Sequence, residues 1–344
     1  MTEALIVAGA RTPIGRAHKG SLVDVDAATL AEIALRETIG RSGIDPTLID
    51  DIVLAESMQG GGVLGRYVAH KLGLTEVPGL ANNRHCAGGL SAVQIGAASI
   101  RAGMDRIVLA GGTESLSSTP QLLKSVPASA RNPMPWAPES HPDSPEAPAW
   151  DMSITVGENA AREANVTREQ SDEWAFHSHQ RASAAVQSGR FDDEIVPVEV
   201  SDGAGGVRLF ERDEHPRADT TLERLASLQP LHPELPNPTV TAGNAAGLND
   251  AAAAVMLMSD AAAAEQGALP LARIVSWASI GIDPVITGLA PTKAIPKALD
   301  RAGMKISDIE LFEINEAFCS MAVASTRILG LDHAIVNVNG SGCG

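Results

Sequence analysis

Aromatic side chains are scarce in this sequence: 344 residues hold four Trp, one Tyr and five Phe, 3% of the chain. A core of this length must therefore be assembled from Ala, Val, Ile and Leu, whose small volumes let elements approach closely. Cysteine is equally sparse. Cys86, Cys319 and Cys343 are too few and too scattered for a disulfide scaffold or a zinc cluster, and the expected compartment is a reducing cytoplasm. Positive charge is in deficit, with 26 Lys+Arg against 42 Asp+Glu and a net charge of −16. Nothing then replaces phosphate counterions, so sequence-independent nucleic-acid binding is not expected. No membrane span is expected either. The apolar run Ala4–Ala10 has only a strand's length, lacks a basic leader and is followed by Arg11. Apolar content is ordinary at 44%, which excludes a disordered chain.

What is present is unevenly spread. Residues 1–118 are net −2, residues 119–245 net −10 and residues 246–344 net −4. The middle segment opens on eight prolines between Pro120 and Pro148 and closes on Pro230, Pro233, Pro236 and Pro238. Such a passage reads as an excursion or insertion between ordered elements.

The two flanks share a pattern at an offset of 260 residues. Arg41, Gly43, Ile49 and Glu56 recur as Arg301, Gly303, Ile309 and Glu316. Each copy follows a helical stretch, Ala28–Gly40 or Pro291–Asp300, with Gly as its C-terminal stop. Each leads into an apolar run of strand length, Ile52–Ala55 or Leu311–Ile314. Upstream, Ala4–Ala8 and Ala272–Ser276 are candidate first strands. Strand–helix–strand order in both copies predicts two related α/β halves with mainly parallel sheets.

Several positions carry candidate chemistry. Cys86 sits in a Gly-containing turn (Asn82–Leu90) before a helical pattern through Ile100, where unpaired N–H groups favour a nucleophilic sulfur. The competing reading is an inert, buried thiol. Adjacent His85 is read as structural, because neighbouring side chains in a turn diverge. Two strands run into small-residue loops. Arg106–Ala110 leads into Gly111–Ser115, and Thr239–Gly243 leads into Asn244–Asp250 and then an Ala-rich helix. Such loops suit ligands at strand ends and suit tight packing equally. Asn315 follows a strand, where an amide can hold a water or polarise a carbonyl; its competing reading is a loop cap, with Glu316 at the surface. Gly60–Gly65 fits G-x-G-x-x-G, yet lies too far from its strand for a dinucleotide fingerprint. His177 and His179, on the helix opened by Thr167–Gln170, face different ways and do not suggest a metal.

Together these pieces resemble the thiolase family. The resemblance rests on Arg11–Gly15 (RTPIG), Asn83–Cys86 (NRHC), Gly111–Ser115 (GGTES), Asp213–Arg217 (DEHPR), Thr241–Asn244 (TAGN), Asn315–Phe318 (NEAF) and Asn337–Gly340 (NVNG), in the family's order along the whole chain. It implies a five-layered αβαβα fold of two related halves with an inserted loop domain. The parts would be an N-terminal half over 1–118, a CoA-binding loop domain over 119–245, a return to the first half over 246–268 and a C-terminal half over 269–344. The implied reaction is thiolysis of a 3-ketoacyl-CoA by CoA through an acyl-enzyme on Cys86. Asn315, through a water, would help form an oxyanion hole. Arg217, with Arg208 and Arg224 as further candidates, would meet the nucleotide end of CoA, and Ala246 and Gly247 would stand in the pantetheine-contacting loop. CoA is then a co-substrate, with no metal and no permanently bound cofactor, and the protein is expected to form homodimers or homotetramers.

Departures from the family pattern are equally specific. Ala87-Gly88-Gly89 replaces Gly-Ser-Gly after the nucleophile. Ala246 replaces a Ser, which removes one hydrogen bond of about 1 kcal/mol. The expected His-Met is not clear around Met152–Asn159. Past Asn337–Gly340 the sequence stops at Gly344, before the Gly-His-Pro base motif and the second catalytic Cys, and Cys343 is not assigned that role. Cys86 shifted by 260 falls at 346, past the last residue. The expectation is a C-terminally incomplete thiolase. A degradative direction is favoured on the long Pro-rich loop. The alternatives are a biosynthetic acetoacetyl-CoA thiolase, a non-catalytic CoA or acyl carrier, a decarboxylating ketoacyl synthase and, from Gly60–Gly65 alone, an NAD-dependent dehydrogenase.

Overall fold

A computed structural model describes residues 2–59, 61–125, 134–137 and 139–344. Its strands are β1 (Ala4–Arg11), β2 (Gly15–Arg16), β3 (Asp51–Ala55), β4 (Gly79–Asn82), β5 (Ile107–Ser115), β6 (Leu122–Lys124), β7 (Met134–Trp136), β8 (Val198–Ser201), β9 (Val207–Phe210), β10 (Asn249–Ser259) and β11 (Ala272–Arg273). Its helices are α1 (Ala27–Ser42), α2 (Leu64–Lys71), α3 (Gly88–Ala102), α4 (Asn159–Ala164), α5 (Arg168–Gln187), α6 (Leu222–Ala226), α7 (Asp260–Gln266), α8 (Pro291–Ala302) and α9 (Cys319–Leu329). Two compact units result. The first comprises Met1–Ala137, Asp192–Glu214 and Leu248–Val275; the second comprises Pro138–Phe191, His215–Gly247 and Ser276–Gly344.

The first unit is built on a sheet of order β11-β1-β10-β5-β3-β4, with β2 paired to β10. The pairs β3–β4 and β3–β5, whose connections run through α2 and α3, are parallel, as helical crossovers require. β10 returns from a long excursion without such a crossover and lies antiparallel to both β1 and β5. The expected mainly parallel sheet is therefore mixed. Side chains alternate across it: Ala252, Ala254, Met256 and Met258 join the core with Ala31, Ala34 and Leu35 of α1. Leu257 and Val108 on the other face meet α3 at Gly96, where an added Cβ would come within 2.9 Å of both. Both faces of the sheet are thus covered by helices.

Three further expectations are corrected here. Gly111–Ser115 is not a loop but the second half of β5, paired with Asp250–Ala254. A Cβ on Gly111 would strike the Ala253 carbonyl, so glycine admits the neighbouring backbone. The Ala-rich run after Asn249 is a strand, because a place between two partners outweighs alanine's helix propensity. The next alanines form the helix α7, capped by Ser259. Ala272–Ser276 is reduced to the two residues of β11, on the edge of β1.

The 260-residue repeat is visible in the backbone. Gly43 and Gly303 close α1 and α8 in the left-handed conformation, both at φ 67°. A 3₁₀ turn follows each, Pro46–Leu48 and Ile306–Asp308. The likeness then ends: Ile52–Ala55 lies within β3, whereas Leu311–Ile314 makes only an isolated bridge, Phe312 to Val336. The second unit is mainly helical, and α5 and α9 pack around Trp174, Phe312, Ile314, Cys319, Val336 and Cys343.

Gly60 lies outside the described residues, Gly62 has a left-handed backbone at φ 68°, and Gly65 has a packing explanation. Gly65 opens α2 against the sheet, and a Cβ there would lie 2.8 Å from the Leu80 carbonyl oxygen and 3.2 Å from that of Ile52. Gly65→Ala should lower stability by about 1–3 kcal/mol, read as a shifted urea midpoint at unchanged slope.

Candidate active site

In the first unit, Cys86 is exposed, one residue before Ala87, which caps α3 without a side-chain hydrogen bond. The turn holds itself together. Ala87 N–H donates to the Arg84 carbonyl (3.1 Å), and Gly88 N–H to that of His85 (2.9 Å). His85 takes a left-handed backbone at φ 45° while its N–H donates to Asn83 Oδ1 (2.9 Å). Its side chain is exposed. Asn83 Nδ2 ties the turn to the Ser57 carbonyl (3.0 Å), and Glu114 accepts from Ser57 N (2.8 Å), Met58 N (3.1 Å) and Gln59 Nε2 (2.6 Å). Gly88 admits β3, because a Cβ would sit 2.9 Å from that of Ala55. Glu114 and Asn83, each read only as part of a motif, thus brace the Cys86 turn.

The same unit joins two motifs about 200 residues apart. Arg11 donates to both Asp213 oxygens, Nη1 at 2.8 Å and Nη2 at 2.9 Å, and its Nε to Glu194 (2.6 Å). Asp213 also accepts from Ile14 N (2.8 Å), and Glu214 from Arg16 N (2.9 Å) and Ser21 Oγ (2.6 Å). Arg208 is exposed and donates to Ser21 Oγ at 2.7 Å.

In the second unit, Asn315 lies past Ile314 with its side chain exposed. Residues 311–316 alternate exposed and buried, so Phe312, Ile314 and Glu316 share the inner face. Glu316 is therefore not a surface residue. It is 1% exposed and accepts from Trp174 Nε1 (2.8 Å), Ser178 Oγ (2.6 Å), Asn337 Nδ2 (2.9 Å) and Cys343 N (3.2 Å). The period-two pattern was the signal that could have found it. Ala246 and Gly247 are brought beside this segment: Ala246 N–H donates to the Ala317 carbonyl (3.0 Å), and Ala245 bridges Phe318. A Cβ on Gly247 would collide with the His215 ring.

The preceding turn is braced from within rather than open. Glu158, also buried, accepts from Thr239 N (2.9 Å), Thr239 Oγ1 (2.8 Å) and Val240 N (2.8 Å). Asn244 accepts from Thr241 N (2.8 Å) and donates to Asp172 (2.8 Å), which Arg168 also holds (2.7 Å). Gly243 is closely packed: a Cβ there would force the side-chain ends of Leu225 and Leu228 to move. Arg224, on α6, is exposed and paired with Asp219 at 2.6 Å, a surface contact of small net energy that a stronger anion can displace.

Arg217 is exposed, and its backbone N–H donates to Nδ1 of His179 at 3.3 Å. Burial, with help from the Arg217 and His215 charges, lowers the His179 pKa to about 4. His177 instead meets His333, which stacks on Trp174 with ring centroids 4.2 Å apart. Cys319 and Cys343 are both buried, with Sγ atoms 2.9 Å apart. Burial pushes the Cys319 thiol well up. The Cys319 contact lowers that of Cys343, but burial and the Glu316 charge raise it on balance. Neither is poised as a nucleophile. Among the described residues, no group of three or more His, Cys, Asp or Glu could hold a metal ion, and no helix is long and apolar enough to cross a membrane.

His179 has a definite pH signature. Its folded-state pKa lies below the ordinary 6.5, so the folded form excludes a proton that the unfolded chain accepts. Stability should be full above pH 6.5 and fall as pH drops towards 4. His179→Asn should flatten that part of a plot of urea midpoint against pH.

Residues 4–261 match the family description "Thiolase, N-terminal domain" and residues 268–343 "Thiolase, C-terminal domain". The chain is 41% identical to the beta-ketothiolase BktB of Cupriavidus necator over 345 residues, 99% of this chain and 87% of that protein. It is 40% identical to an acetyl-CoA acetyltransferase of Pseudomonas aeruginosa over 350 residues, with the same two coverages. The solved structure of human mitochondrial 3-ketoacyl-CoA thiolase in complex with CoA superposes with a TM-score of 0.87 at 34% identity, covering 99% of this chain and 86% of that one. Two family matches that span nearly all of the sequence, and a shared fold at that identity, establish that the chain belongs to the thiolase family.

Proposed function

We propose that this protein is an acyltransferase that cleaves a 3-ketoacyl-CoA with CoA, giving acetyl-CoA and an acyl-CoA shortened by the acetyl unit. The observation that carries the reading is the Cys86 turn: an exposed thiol before the N-terminus of a fifteen-residue helix whose first N–H groups meet no capping side chain. In the first step the Cys86 thiolate attacks the 3-keto carbon. The C2–C3 bond breaks, its electron pair passes into the acetyl-CoA enolate, and a proton completes acetyl-CoA. In the second step the CoA thiolate attacks the acyl-enzyme carbonyl and expels Cys86. Splitting one carbon–carbon cleavage into two acyl transfers is the gain from a covalent nucleophile. The exposed amide of Asn315, acting through a water, stabilises oxyanion charge as it develops.

CoA is read as lying along the second unit's small-residue loop at Ala246 and Gly247, its phosphates met by Arg217 and Arg224. Residues 119–245 are the inserted loop domain in this reading, between an N-terminal half (1–118 with 246–268) and a C-terminal half (269–344). Thiolysis is preferred over condensation on the length of the Pro-rich passage. Relatives named for 3-ketoacyl-CoA thiolase and for acetyl-CoA acetyltransferase are both similar to the chain. A homodimer or homotetramer is proposed with it.

A thiolysis assay across a 3-ketoacyl-CoA chain-length series tests the activity. Cys86→Ala should lower turnover by at least about 10³-fold, and mass spectrometry of the wild type should place the acyl group on Cys86. CoA binding without turnover or acylation would point instead to an acyl carrier. Arg217→Ala should raise KM for CoA about tenfold with little change in kcat, as expected on losing one charge-assisted hydrogen bond.

A further inference from the structure

Asn315 lies outside any regular strand, so no ladder of backbone hydrogen bonds fixes its direction. Its two neighbours are nevertheless held by one side chain. Asn337 Oδ1 accepts from Ile314 N (2.8 Å), and its Nδ2 donates to both the Ile314 carbonyl (2.8 Å) and Glu316 Oε1 (2.9 Å). The amide of Asn337 therefore pairs with Ile314 as a backbone peptide would, and also grips the residue beyond Asn315. Asn337 is 1% exposed and adopts a left-handed backbone at φ 50°, a conformation of modest cost that asparagine tolerates better than most residues. Its own position is secured by Arg181, whose guanidinium donates to the carbonyls of Val336 (2.7 Å), Asn337 (3.3 Å) and His333 (3.1 Å).

The third partner makes the arrangement a clamp. Glu316 is seated by Trp174, Ser178 and the Cys343 N–H, so the bond from Asn337 reaches a group that is itself immobile. Gly342 completes the setting. A Cβ there would lie 3.2 Å from both Asn315 Oδ1 and the Glu316 carbonyl, a tight approach that glycine eases.

We propose that Asn337, acting through Ile314 and Glu316, is the positioning residue that sets the direction of the Asn315 amide. The proposal rests on the reading of Asn315 as an oxyanion-stabilising group. An amide with that task needs its neighbours fixed to a fraction of an ångström, and a misplacement near 1 Å costs about 10²-fold in rate. A purely structural side chain would change stability without singling out the chemical step.

The test is Asn337→Gly, which keeps the left-handed backbone free of steric cost and deletes all three side-chain bonds. The variant should remain folded, with kcat for thiolysis lowered about 10²-fold and KM for the 3-ketoacyl-CoA within about twofold of wild type. Its crystal structure should show the Asn315 amide displaced or in more than one orientation. If Asn337→Gly does not fold, Glu316→Ala and Glu316→Gln carry the test. Gln can still accept from Asn337 and Trp174, so it should restore most of the kcat that Ala loses. A folded Asn337→Gly with wild-type kcat, or an equal loss in both Glu316 variants, overturns the proposal. Should the wild type show no thiolysis, the proposed activity fails by itself. The crystallographic comparison then decides the positioning role, and an unmoved Asn315 refutes it.

Discussion

The sheet of the first unit depends on β10 holding a partner on each side. It pairs with β1 over Ala253–Ser259 along one edge and with β5 over Asp250–Met258 along the other, and without it those two strands have no common neighbour. That constraint dictates composition. Alanines fill the first half of β10, where Ala254 lies opposite Ala10 on β1, and Ala254 and Ala253 lie opposite Gly111 and Gly112 on β5. The covering helix contributes its own small residue, since α3 meets Leu257 and Val108 of the sheet at Gly96. The scarcity of aromatic residues is the same fact seen in the composition: a core packed this closely has little room for rings.

A second regularity concerns the acid surplus. Glu114, Glu158, Glu214 and Glu316 all accept hydrogen bonds from backbone N–H groups of loops, and Glu56 accepts from Gly62 and from Leu64 at the start of α2. Buried loop amides need acceptors, and a carboxylate offers two oxygens to several donors at once. Within the middle segment Glu158 and Glu214, with Asp213, are internal fasteners of this kind. The net charge of −10 over 119–245 overstates the negative surface that an anionic ligand would meet.

Much of this was legible in the sequence, and the failures are physically specific. Helix boundaries at Gly43 and Gly303, the capping box at Thr167 and Gln170, and the turn before α3 followed from local chemistry that tertiary contacts did not override. The Ala-rich strand was missed because alanine is the best helix former, and only the neighbours of β10 make it extended. Gly111–Ser115 looked like a loop because glycine signals turns as readily as close approach of strands. Glu316 was misplaced because charge outweighed the alternation of Phe312 and Ile314 that put it inside. For the candidate site, the residues at Cys86 and Asn315 could be named in advance. Their supports, Asn83 with Glu114 and Asn337 with Glu316, were not legible because such roles depend on contacts between segments distant in sequence.

The late position of β10 also has a kinetic side. During synthesis β1 and β5 are complete long before residue 259 exists, and the strand that fills the space between them is more than a hundred residues behind β5. Until it arrives, both present open edges that can pair with any extended chain nearby. The chain must also close a loop of more than two hundred residues to bring β10 against β1, an entropic cost met before the contacts form. The nascent first half is thus an incomplete sheet awaiting its middle, and its vulnerable interval is set by the length of the excursion between β5 and β10.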